Sequence, residues 1–321
     1  MTICSIGGLF NMKRDLEIGI LSGKGGVGKT SITASLGIIA KQDRGFHPAL
    51  VDCDVDAPNL AIVFPPQSED TINTKEVSAT LKATFIEDAC IQCKSCVEDN
   101  YCEFDAITWN SQNNVPRIDY LACEGCGACR VLCSEHAFKI NPVKSGEIIS
   151  YISKFDLPLT YGKTILGSTT SGKLVSDVKE SAKNFVSEPE IDLLLIDGPP
   201  GIGCPVIATV SGLDYVIAVT EPTPSGLHDL KRVIEVIESF QIPFGIVINK
   251  ADLKSPFQTE FKQFISEKNY QILGRINYSN DIPIAMSHAQ PVVIENPESE
   301  ASKAIIQIFN NLKEKINNLK K

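Results

Sequence analysis

Gly23-Lys24-Gly25-Gly26-Val27-Gly28-Lys29-Thr30 directly follows the apolar run Leu16–Leu21 and opens a helical stretch, Lys29–Lys41. Glycines at this spacing let the chain curl so that successive backbone N–H groups point inward at phosphate oxygens. The positive end of the following helix adds to the attraction. In such a loop Lys29 reaches the β- and γ-phosphates and the Thr30 hydroxyl ligates magnesium. A Gly-rich turn alone would be weak evidence, but eight residues in a strand–turn–helix context predict a phosphate loop.

Outward from this loop the chain alternates. Leu16–Leu21, Ala49–Val51, Leu193–Ile196, Tyr215–Val219 and Phe244–Ile248 are short apolar runs of the kind found in strands covered on both faces. Lys29–Lys41, Lys173–Phe185, Ser225–Phe240 and Gln258–Lys268 carry helical periodicity. The alternation predicts an α/β fold, a doubly wound and mostly parallel sheet. Ser145–Leu166 is expected to form an extra hairpin, and the polar stretch Ser68–Val77 a surface loop.

Two further segments end predicted strands in acids. Leu193-Leu194-Leu195-Ile196-Asp197 has the form of a Walker B strand, whose carboxylate Asp197 supports magnesium beside the phosphate loop. Val51-Asp52-Cys53-Asp54-Val55-Asp56 ends another, and not all three acids can point into one site.

The chain has 321 residues, 43% of them hydrophobic and 21% charged, enough for a large core. Its net charge of −9 disfavours nucleic acid, which recruits a surplus of Lys and Arg. No apolar run approaches the ~18 residues of a spanning helix. No secretory signal is evident, which together with the cysteine usage predicts a cytoplasmic protein.

Eight of the eleven cysteines fall between Cys90 and Cys133. Cys90, Cys93, Cys96 and Cys102 are spaced C-x2-C-x2-C-x5-C; Cys123, Cys126, Cys129 and Cys133 are spaced C-x2-C-x2-C-x3-C. The second run is that of bacterial ferredoxins, and the tandem pair implies two 4Fe–4S clusters. In two-cluster ferredoxins the fourth cysteine of each run serves the other cluster. That pattern groups Cys90, Cys93, Cys96 and Cys133 at one cluster and Cys123, Cys126, Cys129 and Cys102 at the other. The usual Cys-Pro ending is absent, since Glu103 and Ser134 follow the two fourth cysteines, and the first run is two residues longer. Zinc is the rival metal for paired CxxC. The segment is acidic, a surface that suits an unidentified basic redox partner or simply solvent. Residues 86–142 are expected to form this ferredoxin domain, inserted after the second strand of an ATPase domain made of 12–85 and 143–321. Residues 1–11 are expected to be an N-terminal extension.

The extra lysine of the loop, Lys24, resembles the deviant phosphate loop of the MinD/ParA family, relatives of the nitrogenase iron protein. Val51–Leu60, Asp197-Gly198-Pro199-Pro200-Gly201, Thr220-Glu221-Pro222-Thr223-Pro224-Ser225-Gly226 and Asn249-Lys250-Ala251-Asp252 extend the likeness. Taken with the cysteine runs, the chain resembles MinD-superfamily ATPases that carry an inserted two-cluster ferredoxin domain. The resemblance implies ATP and Mg2+ as ligands and a homodimer formed through a nucleotide sandwich. Lys24 would then reach the partner's phosphates, Asp54 orient the attacking water, and Asp52 support magnesium or the loop. Asn249 would contact adenine, although Asn-Lys-x-Asp is also the guanine-reading motif of GTPases. The implied activity is ATP-gated electron transfer, with cluster delivery or redox-sensing positioning as alternatives. The amphipathic C-terminal helix, with Ile305, Ile308, Phe309, Leu312, Ile316 and Leu319 on one face, is expected to pack on the sheet rather than on a membrane.

Overall fold

The computed structural model describes residues 15–168, 171–185, 191–253 and 258–319; the expected extension 1–11 lies outside them. In chain order the strands are β1 (Leu16–Ser22), β2 (Pro48–Asp52), β3 (Asn73–Val77), β4 (Thr80–Phe85), β5 (Ile107–Asn110), β6 (Val115–Ile118), β7 (Phe138–Val143), β8 (Gly146–Ile152), β9 (Pro158–Thr164), β10 (Leu193–Pro200), β11 (Tyr215–Thr220), β12 (Phe244–Asn249) and β13 (Ile272–Ile276). The helices are α1 (Lys29–Gln42), α2 (Leu60–Val63), α3 (Ser95–Glu98), α4 (Ala128–Leu132), α5 (Ser171–Phe185), α6 (Cys204–Val210), α7 (Pro224–Ser239), α8 (Gln258–Glu267), α9 (Asp281–Ser287), α10 (Val292–Glu295) and α11 (Glu300–Leu319).

The main sheet has the order β13-β12-β11-β1-β10-β2-β9-β8-β3. The pairings from β13 to β9 are all parallel, and β8 runs against both its neighbours. Alternation along each strand feeds two cores. Leu193 and Leu195 face one with α1 and α11; Leu194 and Ile196 face the other with α5, α6 and α7. The expected strands and helices are present within four residues of their predicted ends, the largest difference being β10, which runs on to Pro200, and the hairpin expected over Ser145–Leu166 is β8–β9. Helix α11 lays Ile305, Ile308, Phe309, Leu312 and Ile316 into the first core, all at most 2% exposed. No helix among the described residues is long and apolar enough to cross a membrane.

Ser68–Val77 is not the expected loop. It contains a short 3-10 turn, Glu69–Thr71, and then β3, which pairs antiparallel with β8 at the sheet edge. Four of its five residues are exposed, because an edge strand with polar side chains resists pairing with other chains. The chain therefore leaves the sheet after the third strand rather than the second. It then forms two small antiparallel pairs, β4–β7 and β5–β6, before returning at β8.

Candidate functional site

The phosphate loop bridges β1 and α1. Gly28 adopts a left-handed φ of 97°, and a Cβ there would meet Asn249 Nδ2 at 2.5 Å. Asn249, at the end of β12, donates to the Val27 carbonyl at 2.8 Å and so braces the loop from beneath. Lys29 is buried and donates to Ser22 Oγ at 2.9 Å. Burial lowers its pKa, against the pull of Asp197, Asp54 and Asp52.

Strand pairing sets these acids side by side. β10 and β2 align Asp197 with Asp52, and β10 lies beside β1. Asp197 accepts a 2.6 Å bond from Thr30 Oγ1 and a longer one from Thr33 Oγ1. Burial pushes its pKa up to about 6, with Lys29 pulling the other way. The Thr30 hydroxyl and the Asp197 carboxylate, already in contact, are the pair a magnesium shell needs. Both carboxylate oxygens of Asp52 are engaged: Oδ1 takes the Asp54 N–H and Oδ2 the Leu60 N–H, each at 3.0 Å. Of the two tasks left open for Asp52, these contacts are those of holding the loop. Burial raises its pKa strongly, and Asp197 adds to the effect. Asp54 is half-buried, with a pKa raised by burial and countered by Lys29.

Lys24 lies on the exposed side of the loop. Its ammonium sits 3.2 Å from Glu221 Oε1 and 3.4 Å from Ser225 Oγ. Lys250 takes the other oxygen of Glu221 at 2.9 Å. Burial opposes the charge of Glu221, but the two lysines outweigh it and hold its pKa below the usual range. Asp252 accepts the Tyr278 N–H at 2.7 Å, tying this turn to the segment before α9.

The cysteines gather in two recesses. Cys90, Cys93, Cys96 and Cys133 line one, with Trp109 and Pro116. Cys102, Cys123, Cys126 and Cys129 line another, with Ala83. The fold thus brings together the same fours that the spacing groups, with the last cysteine of each run crossing over. The loops repeat in conformation. Gln92 and Lys94 have φ of 59° and 65°, matching 64° and 84° at Gly125 and Gly127; Asp105 and His136 match at 51° and 54°. Burial raises the Cys96 thiol to about 11, with Cys93, Cys90 and Cys133 adding to it, and raises Cys129 as well. Among the described residues no three His, Cys, Asp or Glu side chains converge on a point where a single metal ion would sit. Each recess instead offers four soft sulfurs around a volume. Backbone N–H groups of Gln92, Ala106 and Ala83 donate to Cys90, Cys102 and Cys123 sulfurs, each at 3.4 Å. This donor set suits an iron–sulfur cube.

The two regions touch. Thr164 Oγ1 donates to Asp56 Oδ1 at 2.8 Å, and Thr164 N to the Val55 carbonyl at 2.9 Å. Four residues on, Ser168 Oγ bonds Thr80 Oγ1 at 3.0 Å, and Leu121 packs so close to Gly167 that a Cβ there would meet it at 2.8 Å. The acidic loop after β2 is thus joined to the cysteine-bearing segment through the end of β9. Sequence reasoning missed Thr164, Ser22, Thr33 and the paired role of Glu221. Isolated threonines and serines carry no local signal, and Glu221 stood out only as an acid in the turn Thr220–Gly226.

Residues 18–292 match the family model described as the CobQ/CobB/MinD/ParA nucleotide binding domain. An uncharacterized protein of Methanocaldococcus jannaschii, MJ0578, is 34% identical over 93% of this chain and 97% of its own. An iron-sulfur cluster carrier protein of Pyrococcus furiosus is 23% identical over 95% of this chain and 88% of its own. The structure of the septum site-determining protein MinD from Pyrococcus horikoshii, complexed with Mg-ADP, covers 96% of this chain and 99% of its own at a TM-score of 0.58 and 18% identity, a likeness of fold. With a braced phosphate loop, its lysine and its acids all at the C-terminal ends of the adjacent central strands β1, β10 and β2, this chain belongs to the CobQ/CobB/MinD/ParA nucleotide-binding family.

Proposed function

We propose that the protein binds and hydrolyses MgATP in a sandwich homodimer and uses nucleotide state to gate electron transfer through two 4Fe–4S clusters. The observation that carries this reading is the physical join between the acidic loop and the cysteine recesses through Thr164 and Ser168. Residues 86–142 serve as the inserted ferredoxin module of an ATPase built from 12–85 and 143–321. Each cube, when bound, would supply a site for one electron.

The chain's own residues have separate tasks. Lys29 and the loop N–H groups hold the β- and γ-phosphates, while Thr30 and Asp197 hold the metal. Asp54, beside Lys29, orients water for in-line attack, and Lys24 leaves Glu221 to reach the partner's phosphates. The Lys24-bearing phosphate loop supports ATP over GTP. Closure of the Asp54–Asp56 loop on nucleotide pulls Thr164 and, through it, the segment packed on Leu121.

A second reading, cluster delivery, is favoured by the cluster carrier protein among the relatives. The burial of Cys96, Cys123 and Cys129 supports resident clusters over transferable ones. Anaerobic incubation of the holoprotein with an apo-ferredoxin separates the two. Retention of iron, with ATP-dependent reduction of an acceptor, supports gating; quantitative transfer of iron to the ferredoxin sinks it.

A further inference from the structure

The two cysteine recesses are near-copies, so their differences are informative. A shift of 33 residues carries Cys90, Cys93 and Cys96 onto Cys123, Cys126 and Cys129. The same shift carries Ala83 onto Pro116, and each of these lines its own recess. Ala83 gives its N–H to Cys123 Sγ at 3.4 Å. Proline has no N–H, so Pro116 can give none to Cys90, whose sulfur takes one from Gln92 at 3.4 Å instead; the Cys123 recess has a second N–H···S bond, from Ala106 to Cys102 at 3.4 Å. The preceding residue differs as well. Lys82 is 4% exposed and donates from Nζ to the Cys123 carbonyl at 2.5 Å, with no carboxylate paired to it among the described residues. Its counterpart is Val115.

We propose that Lys82 and the Ala83 N–H make the Cys102/Cys123/Cys126/Cys129 site the more electron-attracting of the two, so that an electron entering the module comes to rest there. The proposal rests on the reading that both recesses hold 4Fe–4S clusters. Reduction adds negative charge to a cluster already carrying four thiolates. A buried cation and an N–H···S bond both favour that charge, and so raise the potential. Opposing effects are smaller. Glu135 lines one recess and Glu124 the other, so they largely cancel. Lys94, at the first recess, is exposed, where water and salt screen it. Deeper burial of Cys123 and Cys129 disfavours added charge, but the unscreened Lys82 ammonium acts from inside the same low-dielectric region. The step is a one-electron transfer: one iron equivalent passes from ferric to ferrous, a one-electron carrier is oxidised, and no bond breaks. Lys82 works through Cys123 and not on iron, so it is a positioning residue.

The test is an EPR-monitored redox titration of anaerobic holoprotein, with dithionite as reductant. Wild type is expected to show two unequal midpoints. Lys82→Met should lower the higher one and leave the other, and Lys82→Arg should restore it. Equal midpoints in wild type, or a Lys82→Met variant with full iron and unmoved midpoints, overturn the proposal. Should Lys82→Met fail to load iron, Pro116→Ala decides. It provides the missing N–H and should raise the lower midpoint alone; an unmoved lower midpoint overturns the proposal. Wild type that takes up zinc or fewer than about eight irons per chain instead refutes the two-cluster reading itself.

Discussion

Lys24 is held by Glu221 of its own chain, ammonium to carboxylate at 3.2 Å, although the family resemblance sends this lysine across a dimer. The pair is part of a three-residue arrangement, since Lys250 holds the same carboxylate. An exposed lysine against a buried acid is a weak tether, so the partner's phosphates can outcompete it. Lys24→Ala is therefore expected to bind ATP within a few-fold of wild type but to lose turnover by at least ~10³-fold. Lys29→Ala, which removes the buried cation of the cradle, should lose nucleotide binding outright. Equal binding losses in both variants, measured by calorimetry, would contradict the division of labour.

Thr164 joins the acidic loop to the segment that packs on the cysteine module. Thr164→Val removes its hydroxyl bonds to Asp56 and Val55 at a stability cost of about 1 kcal/mol. ATP hydrolysis should persist while ATP ceases to alter the EPR signals of the clusters. An ATP response identical to wild type would show that coupling runs elsewhere.

Cys102 lies near Cys96 in sequence and lines the recess of Cys123 in space. If both recesses hold 4Fe–4S clusters as proposed, Cys102→Ser should cost about half of the roughly eight irons and perturb the signal of the Cys123/Cys126/Cys129 cluster. Loss of the Cys90/Cys93/Cys96 cluster instead, judged by spectra of single-cluster variants, would overturn the crossed assignment.

Asp197 has a pKa of about 6, above its unfolded value, so its protonated form is favoured in the folded chain. As pH rises from about 4 to 6 the unfolded state loses this proton first, and stability falls. Without nucleotide, Asp197→Asn should therefore raise thermal stability at pH 7.5, by roughly 3 kcal/mol, and have little effect at pH 4. The same variant should lose magnesium-dependent ATP binding. Equal stabilisation at both pH values would exclude ionisation as the cause.

Cys204 is exposed at the start of α6, just past β10. If two chains close on nucleotide with the C-terminal ends of the central strands inward, ATP should slow alkylation of Cys204 severalfold in holoprotein. Peptide mapping after anaerobic labelling reads this directly, and unchanged labelling would place α6 outside the dimer interface.

The parallel sheet was legible because its central strands, such as Leu193–Ile196, are apolar on both faces and so stand out as unbroken runs. The phosphate loop was legible because its glycines answer a local backbone demand. Strand β3 was hidden since its stability comes from pairing with β8 and not from its own apolar pattern. Lys82 was hidden for a related reason: burial of a lysine is a property of the fold, and a strand with one charge reads as solvent-facing. Thr164 matters only through its partner 108 residues away, a contact no local pattern encodes.

The matched left-handed turns around the cysteines have unequal costs. Glycine takes them freely at 125 and 127, whereas Gln92 and Lys94 each hold the same conformation at a penalty of roughly 1 kcal/mol. The second loop is thus shaped before any metal arrives, and the first draws part of its shape from the metal it closes on. Assembly should then be ordered, beginning at Cys123. Oxidative damage should run in reverse, stripping the Cys90 half first and leaving a protein with one intact cube.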